Sequence, residues 1–176
     1  MLFACKITIP KQTEDNKTSC LVTQIIYEIG YNYGVAPTKI IIKIYNDNMK
    51  NEFIFGVKSK IYVDKIKIGL YDRISIYPVF SHDYILDAPV EENNSIFPLK
   101  LKINENSLVI LPYKIIVKNN NMQIKLLRQN FEKEELMDVI KALLKSINFK
   151  DYKYLYIGNK NITGIIGEIK DINLSN

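Results

Sequence analysis

The sequence predicts an α+β fold. It is mainly antiparallel β-sheet with two or more hairpins, one strong C-terminal helix at about 131–147 and an N-terminal helix at about 19–29 packed on the sheet. Three observations carry this. Leu136, Val139, Ile140, Leu143, Leu144 and Ile147 recur at helical spacing within NFEKEELMDVIKALLKSIN (130–148). Short alternating runs such as KIIIKIY (39–45) and NEFIFGV (51–57) flank Asn/Asp turn chemistry. Leu21, Val22, Ile25, Ile26 and Ile29 also fall on a helical face, ahead of Gly30.

Taken in order, Leu2–Pro10 reads as a strand that Pro10 ends. Lys11–Lys17 is polar loop. For Thr18–Gly30, Thr18 or Ser19 supplies a cap and Gly30 a stop. The stretch is also rich in strand formers, Val22, Thr23, Ile25, Ile26 and Tyr27, and the spacing decides for helix. Lys39–Tyr45 alternates with Ile40, Ile42 and Ile44 on one face. Asn46-Asp47-Asn48 turns the chain, and Glu52–Val57 returns with Phe53 and Phe55 alternating. Lys60–Ile68 changes phase, from Ile61 and Val63 to Ile66 and Ile68, so a turn or bulge is expected at Asp64-Lys65. After a Gly69–Asp72 turn, Arg73–Val79 is a strand with Ile74 and Ile76 inward. Ser81–Pro98 has two prolines and no period, and reads as a long connection. Leu99–Ile103 and Leu108–Lys118 are strands, the second interrupted at Pro112, and Asn119–Asn121 leads into Met122–Arg128 as a second hairpin. In the C-terminal helix Asn130 is the expected N-cap, with Glu132, Glu134 and Glu135 early and Lys141 and Lys145 late, as the helix dipole favours. Tyr152–Ile157 and Ile162–Ile172 close the series as strands.

At 176 residues and 47% hydrophobic, one domain, 1–176, with its own core is expected, stabilised without metal or disulfide. The 30 Ile and 18 Asn, and a basic set of 22 Lys to only Arg73 and Arg128, fit an A/T-rich genome. Cys5 and Cys20 form no CxxC pair and read as buried thiols of a reducing, cytoplasmic setting. No secretory leader or membrane-spanning run is read in the sequence.

The net charge of +5 is unevenly spread. Residues 81–98 carry Asp83, Asp87, Glu91 and Glu92 and no base, between two basic blocks. His82 is the only histidine. Ser81-His82-Asp83 is no triad, because neighbours on an extended chain point to opposite faces. The carboxylates with His82 have oxygen-rich chemistry, but no EF-hand or paired-histidine spacing, so no metal is assigned. No phosphate-cradling loop appears; Gly164-Ile-Ile-Gly167 has apolar middle residues. No catalytic residue and no cofactor is assigned.

What the residues do offer is basic-aromatic surface. Lys39, Lys43 and Tyr45 with Lys58, Lys60 and Tyr62 mix charge with rings, the pattern of a nucleic-acid contact. Lys114, Lys118, Lys125 and Arg128, near Lys100 and Lys102, make a second basic area. Asp83, Asp87, Glu91 and Glu92 are expected to contact protein. The expectation is a non-enzymatic binding or assembly subunit, a homo-oligomer or part of a larger complex, with protein partners first and RNA or DNA second. No membrane and no small-molecule substrate is expected. An accessory subunit of a prokaryotic ribonucleoprotein, CRISPR-effector-like, is one concrete form, and a viral structural or host-interaction protein another. The enzyme alternative is a hydrolase or nuclease using the 81–92 loop with His82.

Overall fold

The computed structural model describes residues 7–12, 18–29, 37–56, 58, 60–79, 96–120 and 123–165. Among these residues strands dominate, with a single α-helix. The predicted α+β fold with two helices is therefore corrected to a mostly β fold with mixed and antiparallel sheets.

The stretch read as an N-terminal helix is strand β1 (Ser19–Ile29). It pairs antiparallel with β4 (Lys60–Ile66) on one edge. On the other edge it runs parallel to β7 (Ser107–Ile110) and then β8 (Tyr113–Asn120), which lie end to end across Leu111-Pro112. Over Ser19–Ile25 both faces of β1 are buried. Leu21 and Ile25 enter one core and Cys20 and Val22 the other. A strand covered on both sides needs no polar alternation, and its apolar run then matches a helical face by accident. Beyond β7 the sheet continues into β10 (Tyr154–Ile157), parallel, and β11 (Lys160–Asn161). Beyond β8 it continues into β9 (Gln123–Asn130), antiparallel.

A second, four-stranded sheet is antiparallel throughout, in the order β3-β2-β5-β6. Its strands are β2 (Lys39–Tyr45), β3 (Lys50–Gly56), β5 (Gly69–Val79) and β6 (Ile96–Ile103). Its inner face (Ile40, Ile42, Ile44, Phe53, Phe55, Ile74, Ile76) packs on Leu21, Ile25, Val109, Ile115 and Val117 of the larger sheet. On the opposite face of the larger sheet lies α1 (Lys133–Leu144), which buries Val139, Ile140 and Leu143 against Cys20, Val22, Leu108, Ile110 and Leu155. The layers are thus small sheet, large sheet, helix.

Several local expectations shift. The α1 N-cap is Glu132 rather than Asn130, in a reciprocal capping box with Glu135. A 3-10 turn (Ile147–Asp151) follows the helix, so Ile147 leaves the stripe and is 78% exposed. No bulge falls at Asp64-Lys65. The β1–β4 register is continuous, because β4 also serves both cores: Ile61 and Val63 face the helix, and Tyr62 and Ile66 face the small sheet. The irregularity lies in β5 instead, where pairing with β6 shifts between Tyr71 and Arg73. The expected Gly69–Asp72 turn is strand, as are Ile96-Phe97-Pro98. Ile7–Pro10 is not strand, and residues 1–6 lie outside the described residues. Ile162 leads into a 3-10 turn (Thr163–Ile165); the rest of the strand expected there lies outside the described residues.

Side-chain amides join the layers. Gly158, at φ +55, turns β10 into β11 and sends Asn159 to the edge of β6. There the Asn159 amide accepts from the Lys102 N–H (2.8 Å) and donates to the Lys100 carbonyl (3.0 Å), closing an edge that would otherwise pair elsewhere. Gln12 pairs with both backbone groups of Thr18 in the same way.

Lys114 on β8, only 5% exposed, pairs with Glu135 of α1, tying helix to sheet. The Lys114 ammonium and the Glu132 N–H hold the Glu135 carboxyl below its ordinary value of 4.5. A carboxylate depressed in the folded state adds stability above its unfolded value and loses it as pH falls through the folded one. Glu135→Gln should therefore cost about 1.5–3 kcal/mol near neutrality, with the difference from wild type closing below pH 4.5 in thermal melts taken across pH.

Candidate binding face

The outer face of the four-stranded sheet follows from strand alternation. With Ile40, Ile42 and Ile44 inward, Lys39, Ile41, Lys43 and Tyr45 point outward. With Phe53 and Phe55 inward, Glu52 and Ile54 point outward, and Ile54 is 58% exposed. Past the shift at Asp72, Ile74 and Ile76 go inward, so Arg73, Ser75 and Tyr77 go outward. Leu99, Leu101 and Ile103 are buried and Lys100 and Lys102 exposed.

Register arranges these side chains in rows. Lys50, Tyr45 and Arg73 form one, Glu52, Lys43 and Ser75 the next, and Ile54, Ile41 and Tyr77 the third. Each tyrosine ring is held by a cation. Lys43 Nζ lies 4.9 Å from the Tyr77 ring centre, and the Arg73 guanidinium 5.0 Å from that of Tyr45. Both cations are themselves anchored. Lys43 Nζ is 3.5 Å from Glu52, and Arg73 bonds Asp47 and Asp72. Those two hydrogen bonds, to Asp47 and then to Asp72, raise the guanidinium's pKa. The turn presenting Asp47 is fixed by Asn46, whose Oδ1 accepts the Asn48 and Met49 N–H groups and whose amide donates to the Leu70 carbonyl. In the middle row the Ser75 hydroxyl is fully buried, with no hydrogen-bond partner among the described residues.

The fold divides the residues singled out from sequence. Lys39, Lys43 and Tyr45 share the outer face. Tyr62 does not: its ring packs on Phe55 with centroids 4.4 Å apart and its hydroxyl donates to the Gly56 carbonyl. Lys60 caps that ring at 4.6 Å, and Lys58 is exposed between β3 and β4. The second basic area separates. Lys114 is committed to Glu135, Lys118 lies 3.0 Å from Glu28, and the Arg128 guanidinium sits 5.3 Å from the Tyr113 ring centre. Lys125 belongs to β9, and its side chain lies outside the described residues. So do His82, Asp83, Asp87, Glu91 and Glu92. Lys100 and Lys102 join the first face rather than the second. Sequence reasoning missed Arg73, Tyr77, Lys50 and Ile54 as members, although the parity of Arg73 and Tyr77 against inward Ile74 and Ile76 was available.

Among the described residues no cluster of His, Cys, Asp and Glu could hold a metal, and no helix is long and apolar enough to cross a membrane. The buried Ser19–Ser107 hydroxyl pair bonds to itself and to the Asn104 carbonyl, joining β1 to β7. Cys20 is a free, buried thiol 3.1 Å from the Tyr152 hydroxyl, which donates to the Pro10 carbonyl at 2.8 Å. Burial pushes the Cys20 thiol up to about 11. A folded value above the unfolded one means a contribution held below pH 9 and lost as pH rises toward 11. In a Cys5→Ser background, native Cys20 should resist a thiol reagent at pH 8, with labelling paced by unfolding. Rapid native labelling in a stopped assay would contradict this burial.

No protein-family model, curated protein or solved structure matches the chain.

Proposed function

We propose that this protein is a non-enzymatic binding subunit that works within a larger assembly through protein or nucleic-acid contacts, and that the outer face of the four-stranded sheet is its contact surface. The observation that supports this is the mixture on that face: Ile54 exposed, Ile41 and Tyr77 half-buried in the same row, and cations on either side. An exposed branched apolar residue on a regular strand, ringed by charge, suits a partner interface. A cytoplasmic setting belongs to the same proposal, and the free thiol of Cys20 is consistent with a reducing compartment.

The test is affinity purification from the native host, with and without nuclease, of wild type, Ile54→Asp and a control, Leu127→Asp. Leu127 lies on β9 and is also exposed. Surface changes of this kind should leave stability within about 0.5 kcal/mol. The expected result is at least a tenfold loss of the co-purifying partner for Ile54→Asp alone. Equal recovery by all three proteins, or a clean monomer with nothing bound, would overturn the reading.

A further inference from the structure

The outer face carries more than exposed apolar surface, and its charge and rings point to one class of partner. Resting on the binding-face reading above, we propose that this face binds single-stranded nucleic acid, with bases stacking on Tyr45 and Tyr77 and phosphates held by Lys39, Lys100 and Lys102.

Tyr45 and Tyr77 lie on β2 and β5, the two central strands of the sheet. Tyr77 is opposite Ile41, four residues along β2 from Tyr45, so the two positions are about 14 Å apart across the sheet. Lys43 lies between them in register and leans over Tyr77. A strand with one base on each ring therefore runs its intervening phosphates past Lys43. Rings on central strands of a four-stranded sheet are a general device for stacking unpaired bases. Here each ring already attracts a cation over one face, and the Arg73 guanidinium lying over Tyr45 offers a planar stacking surface of its own.

Charge points the same way. Lys39, Lys43, Lys50, Arg73, Lys100 and Lys102 surround the rings, against Glu52, Asp47 and Asp72. Lys43, Lys50 and Arg73 are ion-paired with those carboxylates. Lys39, Lys100 and Lys102 make no ion pair with a described residue, and all three are exposed. A second copy of the same positive face would be repelled. A broad sheet face cannot enter the major groove, which admits a helix or a two-stranded ribbon, so a duplex is the poorer ligand.

Fluorescence anisotropy with oligo-uridine RNA, oligo-thymidine DNA and a duplex of equal length tests this at low and rising salt. Single strands should bind more tightly than duplex. Tyr45→Ala and Tyr77→Ala should each weaken single-strand binding by about tenfold or more, with Tyr→Phe retaining it. Lys39, Lys100 and Lys102 changed together to Ala should reduce the salt slope by about 2. Thermal melts of each variant confirm that the fold is kept. No single-strand binding at low salt overturns the inference. If Ile54→Asp still sheds a protein partner in that case, the binding-face reading survives without it. Binding that ignores the tyrosine and lysine changes places the nucleic-acid contact elsewhere and overturns the inference, while the binding-face reading stands or falls on Ile54→Asp.

Discussion

Strand β1 is the constraint on which the other layers depend. It is hydrogen-bonded along both edges, to β4 on one side and to β7 and β8 on the other. It also feeds both cores, with Leu21 and Ile25 facing the small sheet and Cys20 and Val22 facing α1. A one-residue slip would exchange these sets, and since both are apolar, hydrophobic pattern alone cannot forbid it. Polar contacts at its start supply the missing specification. Ser19 bonds Asn104 and Ser107, and Gln12 pairs with Thr18. These fix which residue begins the strand, and the register of every neighbour follows.

Once β1 is placed, the division of surfaces follows. Both faces of the large sheet are used, one by the small sheet and one by the helix. Among the described residues the small sheet has an element packed on its inner face only. The β6 edge of that sheet is closed by a side chain, Asn159. A closed edge beside a face that no described element covers favours contacts made by side chains over contacts made by strand addition. On the proposed reading, the face acts through what its alternate residues display.

That display was partly legible in the sequence. The β2–β3 and β8–β9 hairpins were readable because one face of each is polar enough to show alternation, and Asn-rich turns mark their ends. The helix was readable from Val139, Ile140 and Leu143. β1 was not, because a strand buried on both faces loses the period that would identify it. Lys39, Lys43 and Tyr45 were grouped correctly onto one face by parity alone. Lys100 and Lys102 were grouped with the wrong neighbours, since their place beside β5 depends on a pairing that no local pattern records. Lys114 falls in the second basic area on sequence grounds because a lysine gives no sign of burial by itself. Its carboxylate, Glu135, arrives from a helix 21 residues further along.

The cations of the open face divide by what they are bonded to, and the division has an energetic meaning. Lys43 and Arg73 are held between carboxylates and rings, which constrains their side chains and the tyrosines they cover within the chain itself. Ordering a rotamer-rich side chain at an interface costs about 0.5–1.5 kcal/mol, and a site that has met that cost in advance binds more tightly for the same contacts. Their net charge is largely cancelled by Glu52, Asp47 and Asp72, so they add little long-range attraction. Lys39, Lys100 and Lys102 are the reverse: exposed and without a described ion-pair partner, they supply field at a distance and little order. On the proposed reading, a rigid centre of rings within a looser border of positive charge would separate recognition from steering. A strand built only to protect its edge with lysine would need neither the rings nor the carboxylates that hold them.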